Sequence, residues 1–231
     1  MNPRDRLIVA LDVPDATTAR AMVDQLAGHV GMFKVGSQIF TAAGPSFVYE
    51  LVGRGEKVFL DLKYHDIPNT VAGAVSSAGR LGVSLLTVHA LGGKEMLEAA
   101  VGALPAMGIR LLAITVLTSH HENTLHTVGV GGSVADSVRR LARLAKEAGA
   151  DGVVASPQEV ALVREACGAD FLVVTPGIRP AGAARADQTR TATPAAALAS
   201  GADYIVVGRP ILEAADPAAA AAAIVREISA R

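Results

Sequence analysis

The segment DLKYHDIPNT, which runs from Asp61 to Thr70, places three charges of alternating sign directly after an apolar run. The charged side chains are Asp61, Lys63 and Asp66. Alternate side chains of a strand point the same way, so Asp61 and Lys63 are predicted to share one face. Opposite charges at close range stabilise each other's ionised forms. Lys63 is therefore expected to be an ammonium, which acts as a general acid and not as a Schiff-base nucleophile.

Eight short runs rich in Val, Ile, Leu and Phe must position these charges, and they alternate with alanine-rich segments of helical period. This alternation is typical of strand and helix units around a parallel sheet. Three stretches, GADGVVASP, GADFLVVTPG and GADYIVVGRP, repeat one such unit. The predicted strands are Leu7 to Asp12, Met32 to Gly36, Val58 to Lys63, Leu85 to His89, Leu111 to Val116, Gly152 to Ser156, Phe171 to Pro176 and Tyr204 to Gly208.

Eight units in 231 residues, with no linker or composition break, predict an α/β fold with one (β/α)8 TIM barrel domain over residues 1–231. The alternative is a doubly wound open sheet. Active sites of such barrels lie at the C-terminal ends of the strands, where charged residues are placed to meet a ligand. The polar residues at these ends are Asp12, Lys34, Asp61, Lys63, His89, Thr118, Ser156, Arg179 and Arg209.

Composition excludes several function classes. The formal net charge of −1 gives no basic surface for nucleic acid or an anionic membrane, so a bound anion must be held locally. No stretch has the apolar length of a membrane helix, and MNPRDRLIVALDVP lacks the apolar core of a signal peptide. We therefore expect a cytoplasmic protein. His120 and His121 are adjacent and no Cys or carboxylate cluster accompanies them, so no metal site is predicted.

The charge pattern alone leaves two interpretations open. An ion-pair network at a barrel rim would perturb pKa values without chemistry. A carboxylate beside the place where a carbanion forms would repel it, unless the substrate loses a carboxylate there. The motifs ALDVP, FKVG, DLKYHDIPNT, TVLTS, VTPGIRP followed by ADQ, and VGRPI stand in this order at strand ends.

On these motifs, the whole chain resembles the orotidine 5′-monophosphate decarboxylases in their short bacterial form. The string D-x-K-x-x-D-I-P-x-T is the most specific part, because related sugar-phosphate decarboxylases and aldolases share D-x-K-x-x-D. The resemblance implies cofactor-independent conversion of orotidine 5′-monophosphate to uridine 5′-monophosphate and CO2, in pyrimidine biosynthesis. It implies no metal and no cofactor.

The resemblance also implies roles for the charged residues. Lys63 would protonate C6 of the pyrimidine as CO2 departs, and Asp61 would lie against the departing carboxylate. Lys34 and Asp66 would complete the charged array. In the family, the residues matching Asp66 and Thr70 reach into the partner subunit's site, so a homodimer is expected.

Substrate contacts follow from the same resemblance. Phosphate sites at the loops after strands seven and eight are also common in barrels on physical grounds, and Gly208 would let backbone N–H groups approach the anion. The loop PAGAARADQTR is predicted to be a lid over the phosphate. The expected contacts are Asp12 and Lys34 with ribose, Thr118 with the pyrimidine ring, Arg179, Gln188, Gly208 and Arg209 with phosphate, and Pro176 and Thr70 with the substrate.

Two rival functions stay open. One is a divalent-metal-dependent sugar-phosphate decarboxylase or aldolase of the related barrels, in which D-x-K-x-x-D helps to bind the metal. The I-P-x-T continuation argues against it. The other is a non-catalytic nucleotide-binding barrel, and the intact set of Asp61, Lys63 and Asp66 argues against that one.

Overall fold

A computed structural model describes residues 1–106, 108–180 and 190–230. Its eight parallel strands close into a barrel in chain order, with β1 bonded to both β2 and β8. The predicted (β/α)8 barrel is thereby confirmed. The strands are β1 Leu7–Ala10, β2 Met32–Gly36, β3 Val58–Tyr64, β4 Leu85–His89, β5 Arg110–Ile114, β6 Gly152–Val154, β7 Leu172–Thr175 and β8 Tyr204–Val207.

Helices follow the strands, and several of them begin directly after a residue whose side chain is favourable at the N-cap position. Asp15 and Ser133 each accept a hydrogen bond from a backbone N–H in the first turn that follows. Asp216 does the same before Pro217, where the sequence predicted the start of the last helix. In the part of the chain that the structure describes, no helix is long and apolar enough to span a membrane. The α-helices are α1 Ala16–Leu26, α2 Ser37–Gly53, α3 Pro68–Gly79, α4 Gly93–Gly102, α5 Glu122–Thr127, α6 Val134–Glu147, α7 Val160–Cys167, α8 Pro194–Ala199, α9 Arg209–Leu212 and α10 Pro217–Ser229.

The apolar side chains pack in two layers, one inside the barrel and one between the sheet and its helices. The inner layer takes alternate residues of the strands, as the period of two requires. Its buried members are Ile8, Ala10, Met32, Phe59, Leu85, Leu112, Val174 and Val206. The next inward positions towards the C-terminal ends hold Asp12 above Ala10, Lys34 above Met32, and Asp61 above Phe59. The charged side chains therefore lie directly above a packed apolar layer inside the barrel.

A buried ion pair joins three of the segments that leave the C-terminal ends of strands. Arg190, in the segment after β7, donates to Glu159 Oε1 at 2.6 Å and to the Leu117 carbonyl at 2.8 Å. Glu159 follows β6 and Leu117 follows β5. Both side chains of the pair are about nine-tenths buried, at 11% and 8% exposure. The pair thus ties together the loops that form one side of the barrel mouth.

Replacing Glu159 alone by Leu should destabilise the fold by about 3–5 kcal/mol, because Arg190 would stay buried without a counter-charge. The double variant Glu159→Leu with Arg190→Met should recover most of this loss, since two apolar side chains leave no charge to desolvate. Urea unfolding followed by circular dichroism, at one fixed protein concentration, measures both free energies.

The control for this experiment is Glu50→Leu, at the more exposed ion pair with Arg20 on the helical surface. That substitution should cost much less, because solvent screens an exposed pair. A double variant no more stable than Glu159→Leu alone would contradict the prediction.

Candidate active site

A cavity of about 550 Å³ opens at the C-terminal ends of the strands. Its lower wall is apolar, with Phe59, Ile114 and Val206 among the lining residues, and charged groups stand above them. Nine of the residues that the sequence singled out line this one cavity. They are Asp12, Lys34, Asp61, Lys63, Thr118, Pro176, Arg179, Gly208 and Arg209.

The charges at one end of the cavity form a connected array. Asp61 Oδ2 lies 2.9 Å from Lys63 Nζ and 3.6 Å from Lys34 Nζ. Lys34 Nζ also donates to Asp12 Oδ1 at 3.1 Å. The side chains of Asp61 and Lys34 are only 10% and 12% exposed, so solvent screens their interaction weakly. Two ammonium groups are thus held beside one buried carboxylate, facing the cavity.

The array needs space that only a glycine leaves. Gly36 ends β2 on the same face as Lys34. A Cβ at Gly36 would lie 2.8 Å from Lys34 Nζ and 3.3 Å from Asp12 Oδ1. A larger residue there would force the ammonium away from its carboxylates.

Lys63 has an unusual backbone. Its φ of 53° is the one positive φ of a non-glycine residue among the described residues. The pairing of β3 with β4 also shifts register between Leu60 and Tyr64, the segment that contains Lys63. A left-handed conformation at such a residue costs of order 1–3 kcal/mol and concentrates at functional sites. Lys63 therefore leaves regular strand geometry, whereas the sequence placed it on a regular strand.

The segments after β7 and β8 bring cationic and glycine residues to the same cavity. Arg179 follows β7, and Arg209 begins α9 directly after β8. Both line the cavity together with Gly177 and Gly208. Two guanidinium groups beside glycines, whose backbone a ligand can approach closely, form a suitable environment for a phosphate.

Two predicted site residues, Asp66 and Thr70, do not line the cavity of their own chain. Asp66 is exposed, and its carboxylate accepts a hydrogen bond from the backbone N–H of Ile67 at 2.7 Å. Thr70 is also exposed, in the first turn of α3. Asp66 therefore does not fold back onto Lys63 within the chain. Gln188 and most of the predicted lid lie outside the described residues.

His89 ends β4 close to the array without lining the cavity. Its Nδ1 accepts a hydrogen bond from the Leu91 backbone N–H at 3.3 Å, and its ring stacks on that of His65 at 5.3 Å between centroids. Burial lowers the pKa of His89 to about 4, with further lowering by the charges of His65, Lys63 and His120. His89 is therefore a neutral side chain at neutral pH, and it packs next to the charged residues without entering the cavity.

Ser156 is buried and does not line the cavity either. Its hydroxyl accepts a hydrogen bond from the backbone N–H of Gln158.

Sequence reasoning missed three residues that support the site. Thr87 donates a hydrogen bond to Asp61, and Glu159 and Arg190 form the buried ion pair. A polar residue in the middle of the apolar run LLTVH was a usable signal for Thr87. Nothing in the sequence pairs Glu159 with Arg190, which are far apart along the chain and meet only through the barrel.

Comparison with known proteins gives one consistent family. The family model described as Orotidine 5'-phosphate decarboxylase / HUMPS family matches residues 5–224. The orotidine 5′-phosphate decarboxylase of Moorella thermoacetica is 54% identical over 236 residues, covering 99% of this chain and 94% of the relative. That of Halorhodospira halophila is 58% identical over 227 residues, covering 97% and 96%.

Solved structures agree with the sequence relatives. The crystal structure of orotidine 5′-phosphate decarboxylase from Lactobacillus acidophilus superposes with a TM-score of 0.86 at 42% identity. The match covers 97% of this chain and 99% of the other. A conserved protein of unassigned function from Geobacillus kaustophilus matches with a TM-score of 0.84 at 40% identity, over 96% and 99% of the two chains. Both similarities extend over nearly the entire barrel.

The depressed pKa of His89 predicts a pH-dependent stability. Between the ordinary value near 6.5 and about 4, the unfolded chain binds a proton that the folded site does not. Stability should therefore be full above pH 6.5 and fall as the pH drops towards 4. His89→Asn keeps an acceptor for Leu91 but cannot titrate, so it should flatten this dependence.

Urea midpoints measured from pH 7 to pH 4 would test this prediction. The control is His29→Asn, at an exposed position in the turn after α1. It should leave the slope of the parent protein unchanged. Equal slopes for the parent and His89→Asn would show that His89 makes no such contribution.

Proposed function

The chain belongs to the Orotidine 5'-phosphate decarboxylase / HUMPS family and is a carboxy-lyase that acts on orotidine 5′-phosphate, and we propose that Lys63 supplies the proton to C6 as CO2 leaves. The reaction yields uridine 5′-monophosphate for pyrimidine biosynthesis. The observation that carries the mechanistic proposal is the Lys63–Asp61–Lys34 array, held on an apolar floor inside one cavity.

The array suits a reaction that creates negative charge on carbon without an electron sink. Loss of CO2 from C6 leaves an electron pair there, and a fixed ammonium stabilises that charge as it forms. Lys63 then transfers a proton to the carbon, acting as a general acid. Asp61 holds the ammonium at 2.9 Å before substrate arrives, so little reorientation is required.

Different residues that line the cavity would bind different parts of the substrate. Arg179, Arg209 and Gly208 would bind the phosphate, and Asp12 and Lys34 would bind ribose hydroxyls. Thr118 would contact the pyrimidine ring, Pro176 would contact the substrate, and Gln188 would help to bind the phosphate. Phosphate binding far from the reacting carbon would orient C6 towards Lys63 and lower the barrier.

Geometry argues against the metal-dependent alternative. Within one chain Asp61 and Asp66 do not converge, because Asp66 is exposed and accepts a hydrogen bond from the Ile67 N–H. Asp61 is already engaged by Lys63 and Thr87. Among the described residues, no group of three or more His, Cys, Asp or Glu side chains is arranged to hold a metal ion. The residues fit charge stabilisation by ammonium groups better than coordination.

We further propose that two subunits complete each site. Asp66 and Thr70 lie away from their own cavity, and the neighbouring Ile67 is 67% exposed. Leu91, on the loop after the adjacent strand, is 45% exposed. These exposed apolar side chains lie near predicted site residues that are outside their own cavity. That arrangement is consistent with a surface that a second copy of the chain covers. The single domain over residues 1–231 and the cytoplasmic location stay predictions from the sequence.

Substitution of Lys63 by Ala should lower kcat for orotidine 5′-monophosphate by roughly 10³-fold or more, because both the ammonium and the proton donor are lost. An ultraviolet assay in EDTA measures the rate. Lys57→Ala is the control, because Lys57 lies at the other end of the barrel beside Met32 and Tyr204. Activity only with magnesium and a sugar phosphate would overturn the metal-free mechanism.

Mixing inactive variants tests the shared site. Lys63→Ala and Asp66→Ala proteins should together regain roughly a quarter of the parental activity, because half of randomly exchanged dimers are mixed and each has one intact site. Lys63→Ala mixed with Asp61→Ala is the control, and it should regain nothing because both residues serve their own subunit's site. No recovery despite measured subunit exchange would count against the shared site.

A further inference from the structure

Thr87 is the third residue of β4, and its side chain is completely buried. It is one of the alternate residues of β4 that point into the barrel, between Leu85 below and His89 above. Its hydroxyl donates a hydrogen bond to Asp61 Oδ1 at 3.0 Å. The same oxygen accepts one from the backbone N–H of Lys63 at 2.9 Å. A hydroxyl can make both bonds at once, and here both partners belong to the charged array.

The irregular pairing of β3 and β4 explains why this hydroxyl is needed. Leu60 pairs with Leu86 and Tyr64 pairs with Val88, so three residues of β3 oppose Thr87 alone. The backbone of such a bulge lacks ladder partners, and a buried N–H without an acceptor is costly. The Thr87 hydroxyl takes the place of the missing carbonyl for Lys63.

This contact acts where the backbone is most strained. Lys63 has a φ of 53°, which persists only when surrounding interactions hold it. The hydrogen bond from its N–H to Thr87 is such an interaction. The second bond, to Asp61 Oδ1, leaves Oδ2 directed at Lys63 Nζ and Lys34 Nζ. One side chain therefore fixes both the backbone of the proton donor and the orientation of its counter-ion.

We propose that Thr87 is a positioning residue of the decarboxylation, holding Lys63 and Asp61 in the arrangement that the reaction uses. Thr87 does not line the cavity, so it acts through these two residues and not on the substrate. The proposal rests on the function proposed above for Lys63. It concerns orientation, so loss of Thr87 should affect the chemical step more than substrate binding.

The test compares Thr87→Val with Thr87→Ser in the full-length protein. Val has the shape of Thr without the hydroxyl, and Ser keeps the hydroxyl without the methyl group. Thr87→Val should lower kcat by roughly 10–100-fold with KM changed less than about threefold, as expected for loss of a supporting hydrogen bond. Thr87→Ser should restore kcat to within about threefold of the parent.

A matched control separates positioning from general stability. Thr115 is also buried, and its hydroxyl donates to the Val154 carbonyl at 2.9 Å, away from the array. Thr115→Val removes a buried hydroxyl of the same kind and should leave kcat and KM near those of the parent. Parental kcat in Thr87→Val, or an equal loss of kcat in Thr87→Ser, would overturn the proposal.

A second readout does not depend on activity. The Lys63 amide proton should exchange with solvent much faster in Thr87→Val than in the parent or Thr87→Ser, as measured by NMR of 15N-labelled protein. Unchanged protection would overturn the proposed anchoring. If Lys63→Ala retains activity, the proposed role of Lys63 fails, and the exchange measurement still decides whether Thr87 anchors it.

Discussion

The buried carboxylate of Asp61, held between the ammonium groups of Lys63 and Lys34, is the interaction on which the site depends. Moving a carboxylate out of water costs several kcal/mol unless ion pairing and hydrogen bonds compensate. Here the partners come from β2, β3 and β4. Because neighbouring strands lie about 4.8 Å apart in a closed barrel, their separation cannot adjust to the charges. The side chains must instead be fixed by local contacts.

Those contacts explain why the upper part of the barrel departs from regular structure. Below Asp61, the inward positions are filled by apolar side chains such as Phe59 and Leu85. Above it, β3 bulges, and Lys63 adopts a left-handed backbone. The apolar layer excludes water and keeps the local dielectric constant low, which strengthens each interaction of the array. The stable lower layer therefore supports a strained upper layer in which the charges act.

Hydrophobic periodicity was sufficient to predict the barrel and the site end of each strand, because strand alternation directly sets which residues face inward. Predicted strands such as Leu7 to Asp12 extended beyond Leu7–Ala10, since the apolar run continues through Leu11, one residue past the last paired position. The left-handed Lys63 and its bond to Thr87 could not be predicted, because they arise from the register between two strands. Placement of Asp66 outside its own cavity likewise depends on the turn before α3, which composition does not specify.

The arrangement also relates phosphate binding to the chemistry at C6 of the substrate. A chain of net charge −1 attracts an anion only through local cations, and Arg179 and Arg209 provide them in the same cavity as the array. In the proposed mechanism, a phosphate bound there leaves the substrate carboxylate close to Asp61, where the two anions repel each other. Loss of CO2 removes that repulsion, while the charge left on carbon is attracted to Lys63. The same fixed array is therefore more favourable to the transition state than to the bound substrate, which is the condition for catalysis.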